Sequence, residues 1–346
     1  MMEKIELLSY QKALEKARLP INGKEPQLKL LLGNGFSRAY DEHIFSYDAL
    51  LQKATFAKHG PLIKKVFARL KTSDFERVIR LFVEMKTVLQ EFPKTWKRLI
   101  SFASEVEGIL KKALADTLAA NHPDGPFSIT EVEYTSVREF LRPYKDIYTL
   151  NYDLLLYWSL LHNEGGQVIN VDDGFRNPDV TDCDYVTWEP ENRYNQCVHY
   201  LHGALHLFDS GDEIRKFTWC RTGIRLKEQI LAELNADRYP LIVTEGRSSS
   251  KKGKIFHNIY LASSYKSLLA TGGVIFIYGA SLQEHDEHIL HALKENPKIG
   301  RVFCGLYGDV GNLSAVKTIE RIRQLSVGLH KKEVYFFDAK SAKVWR

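Results

Sequence analysis

The sequence has 346 residues, of which 44% are hydrophobic and 26% are charged, and its formal net charge is +5. This is the composition of an ordinary globular protein that is long enough to bury a large core. Lys and Arg are scattered, so direct nucleic-acid binding is not indicated. The first residues lack the apolar core of a secretion signal, and no stretch approaches the roughly 20 apolar residues that span a bilayer, so we expect a cytoplasmic protein without a membrane partner.

The cysteines are widely spaced and form no Cys-x-x-Cys pair. They are Cys183, Cys197, Cys220 and Cys304. This spacing predicts neither a disulfide framework nor a thiolate zinc site, and we expect reduced thiols.

The elements predicted from hydrophobic patterns alternate between strands and helices. An amphipathic helix is expected at about 5–17, and a buried strand at 27–32. Further strand-like runs follow at 147–150, 168–171, 197–201, 241–244, 274–278, 302–307 and 334–337. This order predicts a single α/β domain with a Rossmann-like, mainly parallel sheet and helices on both faces.

Two segments depart from this alternation. Residues 52–143 carry helical patterns, such as PLIKKVFARL, DFERVIRLFVEM and TWKRLISFASEVEGILKKAL, and predict a helical insertion. The Ser- and Gly-rich stretch EGRSSSKKGK at 245–254 predicts a mobile loop.

The first candidate motif is the loop after the first strand, GNGFS at 33–37. Glycines at such a junction let backbone amides approach phosphate oxygens, although a tight turn also needs glycines. The third glycine of the dinucleotide-binding pattern is missing, so an ordinary dehydrogenase fingerprint is not met. Further on, Ser73 and Glu76 fit a helix capping box, which leaves Asp74 as a spare polar residue.

The second motif places Asn151 and Asp153 where a predicted strand ends and a helix begins. Both residue types favour helix N-caps, which is a purely structural explanation. However, ligands of parallel sheets bind at the carboxyl ends of the strands, so a binding role is the alternative.

The third motif, VHYLHGALHLF, carries His199, His202 and His206. Histidines on strands are usually structural, but His202 precedes a glycine and could face a cleft with a pKa suited to a general base. There is no H-E-x-x-H sequence, and His285 with His288 fits a polar helix start, so no metal site is predicted.

The fourth motif follows the strand VIFIY and reads Gly279-Ala280-Ser281 before an acidic helix start. It repeats the strand, glycine and serine order of the first motif. A serine-capped turn would explain it equally well.

Taken in order, the four motifs resemble those of the sirtuin-like NAD-consuming superfamily, which carries G-A-G-x-S, T-Q-N-x-D, H-G and G-[TS]-S. The matching segments here are GNGFS, TLNYD, HG and GAS, and they cover residues 30–290. The chain is most similar to the zinc-less bacterial members, which include NAD-depleting effectors of anti-phage defence. Leu150 and Asn34 depart from the pattern, and the four-cysteine zinc module of the deacylases is absent.

This resemblance implies a role for each matching residue. Asn151 would orient the nicotinamide ribose or the attacking water, His202 would accept a proton, and Asp153 would bind the nicotinamide carboxamide. Gly33, Asn34, Gly35, Phe36 and Ser37 would form the loop that holds the pyrophosphate, and Gly279 and Ser281 would line the adenosine side.

The resemblance further implies an NAD⁺ glycohydrolase that uses NAD as its substrate and needs no zinc. It also implies a homo-oligomer. Because uncontrolled NAD cleavage would poison the cell that makes the enzyme, we expect control by a regulatory protein or a phage-derived trigger. The alternatives are a protein deacylase or ADP-ribosyltransferase with the same pocket, and a non-catalytic nucleotide sensor or assembly subunit.

Overall fold

The computed structural model of the protein describes residues 6–56, 59–92, 96–162, 169, 171–178, 183–218 and 222–346. In chain order its strands are Leu7–Leu8 (β1), Leu28–Leu32 (β2), Asp146–Thr149 (β3), Phe175–Arg176 (β4), Tyr185–Trp188 (β5), Val198–Tyr200 (β6), Leu207–Asp209 (β7), Ile214–Phe217 (β8), Gly273–Tyr278 (β9), Ile299–Leu306 (β10) and Glu333–Asp338 (β11). Seven of them form a parallel sheet in the order β1-β11-β10-β9-β2-β3-β6. The predicted α/β fold with a mainly parallel sheet is confirmed.

The centre of the parallel sheet is apolar on both faces. All five residues of β2 are buried, and β2 pairs with β3 on one side and β9 on the other. A strand that is covered by helices on both faces needs such a continuous apolar run. The one charged residue of β2, Lys29, is buried and forms an ion pair with Asp146 of β3.

Helices flank this sheet. The α-helices are Tyr10–Ala17, Gly35–Tyr40, Glu42–Phe45, Tyr47–Lys53, Gly60–Leu70, Phe75–Gln90, Lys97–Asn121, Glu131–Leu141, Leu155–Leu161, Leu226–Asn235, Ser248–His257, Ile259–Ala270, Glu287–Glu295 and Leu313–Arg323. Short 3₁₀ helices are Pro126–Ser128, Pro190–Tyr194, Glu284–Asp286, Gln324–Ser326 and Ala339–Ala342. The three helices predicted from periodicity between β2 and β3 are confirmed, and their buried side chains join the same hydrophobic core as the sheet.

A second, smaller sheet was not predicted. Strands β4, β5, β8 and β7 form an antiparallel sheet in that order. Its strands are two to four residues long, so they carry too few residues for a period-two pattern to stand out.

Several predicted elements differ from the structure. The first helix begins at Tyr10, because Leu7 and Leu8 pair with β11. The predicted strand at 241–244 is wrong, since its pairing is limited to an isolated bridge between Ile242 and Gly203. The predicted strand at 168–171 lies partly outside the described residues, and its described positions are not in a strand.

The largest correction concerns the predicted mobile loop at 245–254. Residues Ser248–His257 form a helix in which Lys251 and Ile255, one turn apart, are buried. Tertiary burial of one face therefore outweighs the weak helix propensity of the serines and glycine.

Within the described ranges, none of the helices combines the length and apolar character needed to cross a bilayer. Three of the cysteines, Cys183, Cys197 and Cys304, have free thiols. Cys220 lies outside the described residues.

Candidate functional site

The loops that follow β2, β3, β6 and β9 meet around one cavity of about 210 Å³. Neighbouring parallel strands end at the same edge of a sheet, so their loops converge there. The structure brings most of the predicted site residues to this cavity, namely Gly33, Asn34, Asn151, Asp153, His202, Gly279 and Ser281.

Asn151, Ser37 and Asp153 form a buried hydrogen-bond chain on one wall. The Ser37 hydroxyl donates to Asp153 Oδ2 at 2.5 Å and accepts from Asn151 Nδ2 at 2.9 Å. The other carboxylate oxygen of Asp153 accepts from the Leu155 amide at 3.0 Å, and burial raises the pKa of this carboxyl. Ser37 therefore lies behind the cavity wall and holds the two residues that form it.

The Oδ1 atom of Asn151 is buried but has no hydrogen-bond partner among the described residues. The side chain is 6% exposed and lines the cavity. A buried amide oxygen without a partner costs about 1–3 kcal/mol, so a site that keeps one is expected to have a ligand or water to complete it.

Both glycine amides of the loop are already bonded within the protein. Gly33 N and Gly35 N already donate to the carbonyls of Tyr278 and Gly279, each at 2.9 Å. A Cβ atom on Gly35 would lie 2.5 Å from the Gly279 Cα. The glycines are thus required because two loops pack closely together here. Their amides are occupied by this packing, which differs from the predicted binding of a pyrophosphate by Gly33 and Gly35.

The remaining predicted residues of that loop have structural contacts. Phe36 is fully buried, its ring lies 5.1 Å from the ring of Trp345, and its carbonyl accepts from Trp345 Nε1. The Asn34 side chain, which does line the cavity, donates to the Phe45 carbonyl at 3.0 Å. Phe36 is therefore a core residue and not a ligand contact.

His202 is the histidine of its motif that lines the cavity. Its Nε2 lies 3.0 Å from His288 Nε2, and His288 Nδ1 lies 3.1 Å from the Ser248 hydroxyl. Burial, reinforced by the nearby ammonium of Lys251, lowers the pKa of His202 well below its ordinary value. The pKa of His202 is thus lower than the one predicted for a general base at neutral pH, and the imidazole is neutral at pH 7.

The other two histidines of the motif are structural. His199 stacks on Tyr148, its Nε2 lies 3.1 Å from the Ser267 hydroxyl, and burial lowers its pKa to about 4. His206 is fully buried beside Tyr157 and Tyr200.

A buried ion cluster that also lines this cavity was not predicted from the sequence. Lys251 is 1% exposed, and its Nζ donates to Glu76 at 2.7 Å and to Asp286 at 3.0 Å. Glu76 also accepts from the Tyr152 hydroxyl at 2.9 Å. All four side chains line the cavity.

The capping-box prediction explains why Glu76 was missed. The helix Phe75–Gln90 is capped by Asp74, whose Oδ1 accepts from the Arg77 amide at 3.1 Å. Ser73 is not the cap, so the capping box is wrong and Glu76 is free to turn inward. The helical spacing of Lys251 and Ile255 was the available signal for the buried lysine.

Two groups of side chains have the donor types and spacing of a metal site. They are His202 with Asp286 and His288, and Glu76 with His285 and Asp286, and within each group the donor atoms lie within 4.8 Å of one another. The Lys251 ammonium is already ion-paired with both Glu76 and Asp286, so a metal ion would have to displace it.

Comparison with known proteins shows the family of this chain. Residues 30–345 match the family described as a domain of unknown function, DUF4917. A search of curated proteins gives no significant match. Because the match covers nearly the whole chain, including every side chain that forms the cavity, this protein belongs to the DUF4917 family.

Proposed function

We propose that this protein is an NAD⁺ glycohydrolase, which cleaves NAD⁺ with water to give ADP-ribose and nicotinamide. The observation that carries the proposal is the unpartnered Oδ1 of Asn151 in the wall of a cavity that His202 also lines. An acceptor at that position can receive a hydrogen bond from a ribose hydroxyl or from the attacking water.

Cleavage of the N-glycosidic bond builds positive charge on the ribose carbon while the bonding electrons leave with nicotinamide. Such a reaction needs positioning and electrostatic stabilisation more than a strong nucleophile. Carboxylates of Asp74, Glu76, Asp153 and Asp286 line the cavity. Fixed negative groups near the ribose carbon would stabilise its developing positive charge, and this effect is stronger in a buried site because little water screens it.

His202 is the candidate acceptor for the proton that the attacking water loses. Its lowered pKa keeps the ring neutral, so a ring nitrogen can take a proton as the new carbon–oxygen bond forms. The His288 ring, 3.0 Å away, fixes the orientation of the His202 ring. The Asp153 carboxylate, although already bonded to Ser37 and Leu155, has lone pairs left for an amide donor of the substrate.

The size of the cavity matches one end of a dinucleotide. A volume of about 210 Å³ is below the roughly 300–1,000 Å³ of cavities that hold drug-sized ligands. The nicotinamide and its ribose would therefore occupy this cavity, and the rest of NAD⁺ would extend beyond it.

The test is nicotinamide release from NAD⁺ by the purified full chain, followed by chromatography. We expect His202→Gln to slow release by at least about 100-fold, which is the usual contribution of a positioned acid–base group. His199→Gln is the matched control, because His199 is a buried histidine on the same segment but outside the cavity. Equal rates for the wild type and His202→Gln, or no release by the wild type, would overturn the proposal.

A further inference from the structure

A second cavity of about 410 Å³ adjoins the first. The two share Asp74, Gln283 and His285 in their walls, so they lie side by side, and we call the cavity beside Asn151 the inner one and the second cavity the outer one. Gly246 packs directly on the helix Phe75–Gln90 there, since a Cβ atom at Gly246 would lie 2.3 Å from the Arg80 Cβ.

The outer cavity contains cationic side chains from two helices. Arg77 and Arg80 come from Phe75–Gln90, and Lys317 comes from Leu313–Arg323. Arg80 is already paired, because its guanidinium donates to Glu84 at 2.9 Å and to Glu284 at 2.6 Å. Within the described residues, the Arg77 and Lys317 side chains have neither a hydrogen bond nor an ion pair.

Unpaired cations in a cleft favour an anionic ligand. The outer cavity also contains two carboxylates, Glu284, which is paired with Arg80, and Asp74, which it shares with the inner cavity. The inner cavity has four carboxylates and the single ammonium of Lys251, so acidic groups predominate there. The glycine loop that the sequence suggested for phosphate has its Gly33 and Gly35 amides occupied. The charges of the two cavities thus match a molecule with a cationic ring at one end and a diphosphate next to it.

We propose that the outer cavity binds the diphosphate of a dinucleotide, with Arg77 and Lys317 as the residues that contact it. The identity of the ligand rests on the proposed function, whereas the presence of a diphosphate subsite does not. The dinucleotide would lie with its nicotinamide ribose beside Asn151 and its diphosphate against the helix Phe75–Gln90.

The experiment measures ADP-ribose binding to the full chain by calorimetry. We expect Arg77→Gln/Lys317→Gln to weaken binding by at least about tenfold, because each lost charged hydrogen bond typically contributes that much. Lys64→Gln/Arg69→Gln is the matched control: it removes the same charge from exposed positions on the helix Gly60–Leu70, which lines neither cavity. All four positions are exposed, so the fold should persist, which thermal unfolding verifies.

Two results would overturn the diphosphate subsite. They are equal ADP-ribose affinity in the wild type and Arg77→Gln/Lys317→Gln, and the absence of ADP-ribose binding by the wild type. Loss of binding in that variant, combined with no nicotinamide release by the wild type, would support the subsite and reject the glycohydrolase. Tighter binding of inorganic diphosphate than of ADP-ribose would show a general anion site and also overturn the assignment.

Discussion

Ser37 and Asn151 are 114 residues apart in the sequence, and their side chains are joined by a hydrogen bond of 2.9 Å. Ser37 has one hydroxyl proton, which it donates to Asp153. It must therefore accept from Asn151, and this fixes the orientation of the Asn151 amide with Nδ2 towards Ser37. The Asn151 atom without a hydrogen-bond partner is consequently the acceptor oxygen, Oδ1.

Ser37→Ala should slow nicotinamide release although Ser37 is not in the cavity wall. The change frees the Asn151 amide to rotate, and a positioning group that is displaced by about 1 Å can slow a reaction by about 100-fold. Stability should also fall, by about 1–3 kcal/mol for each of the two buried atoms that lose their partner, Asn151 Nδ2 and Asp153 Oδ2. The control is Ser159→Ala, which removes a buried hydroxyl that bonds the Leu155 carbonyl away from the cavity. Equal rates for the two variants would contradict this positioning role.

Lys251→Met should destabilise the fold strongly at neutral pH. Removal of the ammonium leaves Glu76 and Asp286 buried without their cation, which typically costs about 3–5 kcal/mol. The measurement is the urea midpoint at pH 7.

The loss of stability in Lys251→Met should be smaller at low pH than at neutral pH. In the wild type burial acts to raise the pKa of Asp286, but Lys251 and the nearby imidazoles outweigh it and hold that pKa well below its ordinary value. The ionised Asp286 therefore stabilises the wild-type fold above a pH of about 3.9, the pKa of Asp in the unfolded chain, and this stabilisation is lost as the pH falls below that value. Without Lys251 the buried carboxyl takes up a proton at higher pH, so the deficit relative to wild type should shrink from pH 7 to pH 4. A deficit that is constant with pH would argue against this cluster.

The sequence predicted the residues at strand ends much better than the residues on helices. Asn151, Asp153 and His202 could be placed because a parallel sheet brings the carboxyl ends of its strands to one edge. Glu76 and Lys251 reach the same cavity from helices whose position depends on packing across the whole chain. The local sequence predicted a capping box for Glu76 and a loop for Lys251. In the structure both side chains are buried, because their helices pack against the rest of the protein.

The protein should lose stability as the pH falls from 7 to 5. Burial lowers the pKa of His122 to about 3, of His199 to about 4 and of His288 to about 3. The unfolded chain binds protons at these positions below a pH of about 6.5, while the folded chain does not, so acid favours unfolding.

His199→Gln tests this explanation. It removes one such histidine, and the loss of unfolding free energy between pH 7 and pH 5 should be smaller than in wild type by about 2 kcal/mol. Urea unfolding of both proteins at pH 7 and at pH 5 measures these free energies of unfolding. An unchanged pH dependence would show that His199 is not neutral in the fold.

Two glycine substitutions should act in opposite directions. Gly35→Ala places a Cβ atom 2.5 Å from the Gly279 Cα, so the two loops must separate and stability should fall by about 1–3 kcal/mol. Gly108→Ala lies in the helix Lys97–Asn121, has open space around its Cβ position, and should raise stability by about 0.5–1 kcal/mol. Thermal unfolding of both variants checks the pair, and a stabilised Gly35→Ala would refute the close packing of the loops.

Calorimetric titration of ADP-ribose, which keeps the ribose but has no nicotinamide bond to cleave, into the wild type and Asn151→Ala tests most directly whether the cavity beside Asn151 is the nucleotide site. Asn121→Ala, at the end of the helix Lys97–Asn121 and outside the cavity, is the control. We predict that the wild type and Asn121→Ala bind ADP-ribose and that Asn151→Ala binds it at least about tenfold more weakly, since a hydrogen bond in a buried site is lost. ADP-ribose affinity that is the same in all three proteins, or is absent from the wild type, would contradict the account.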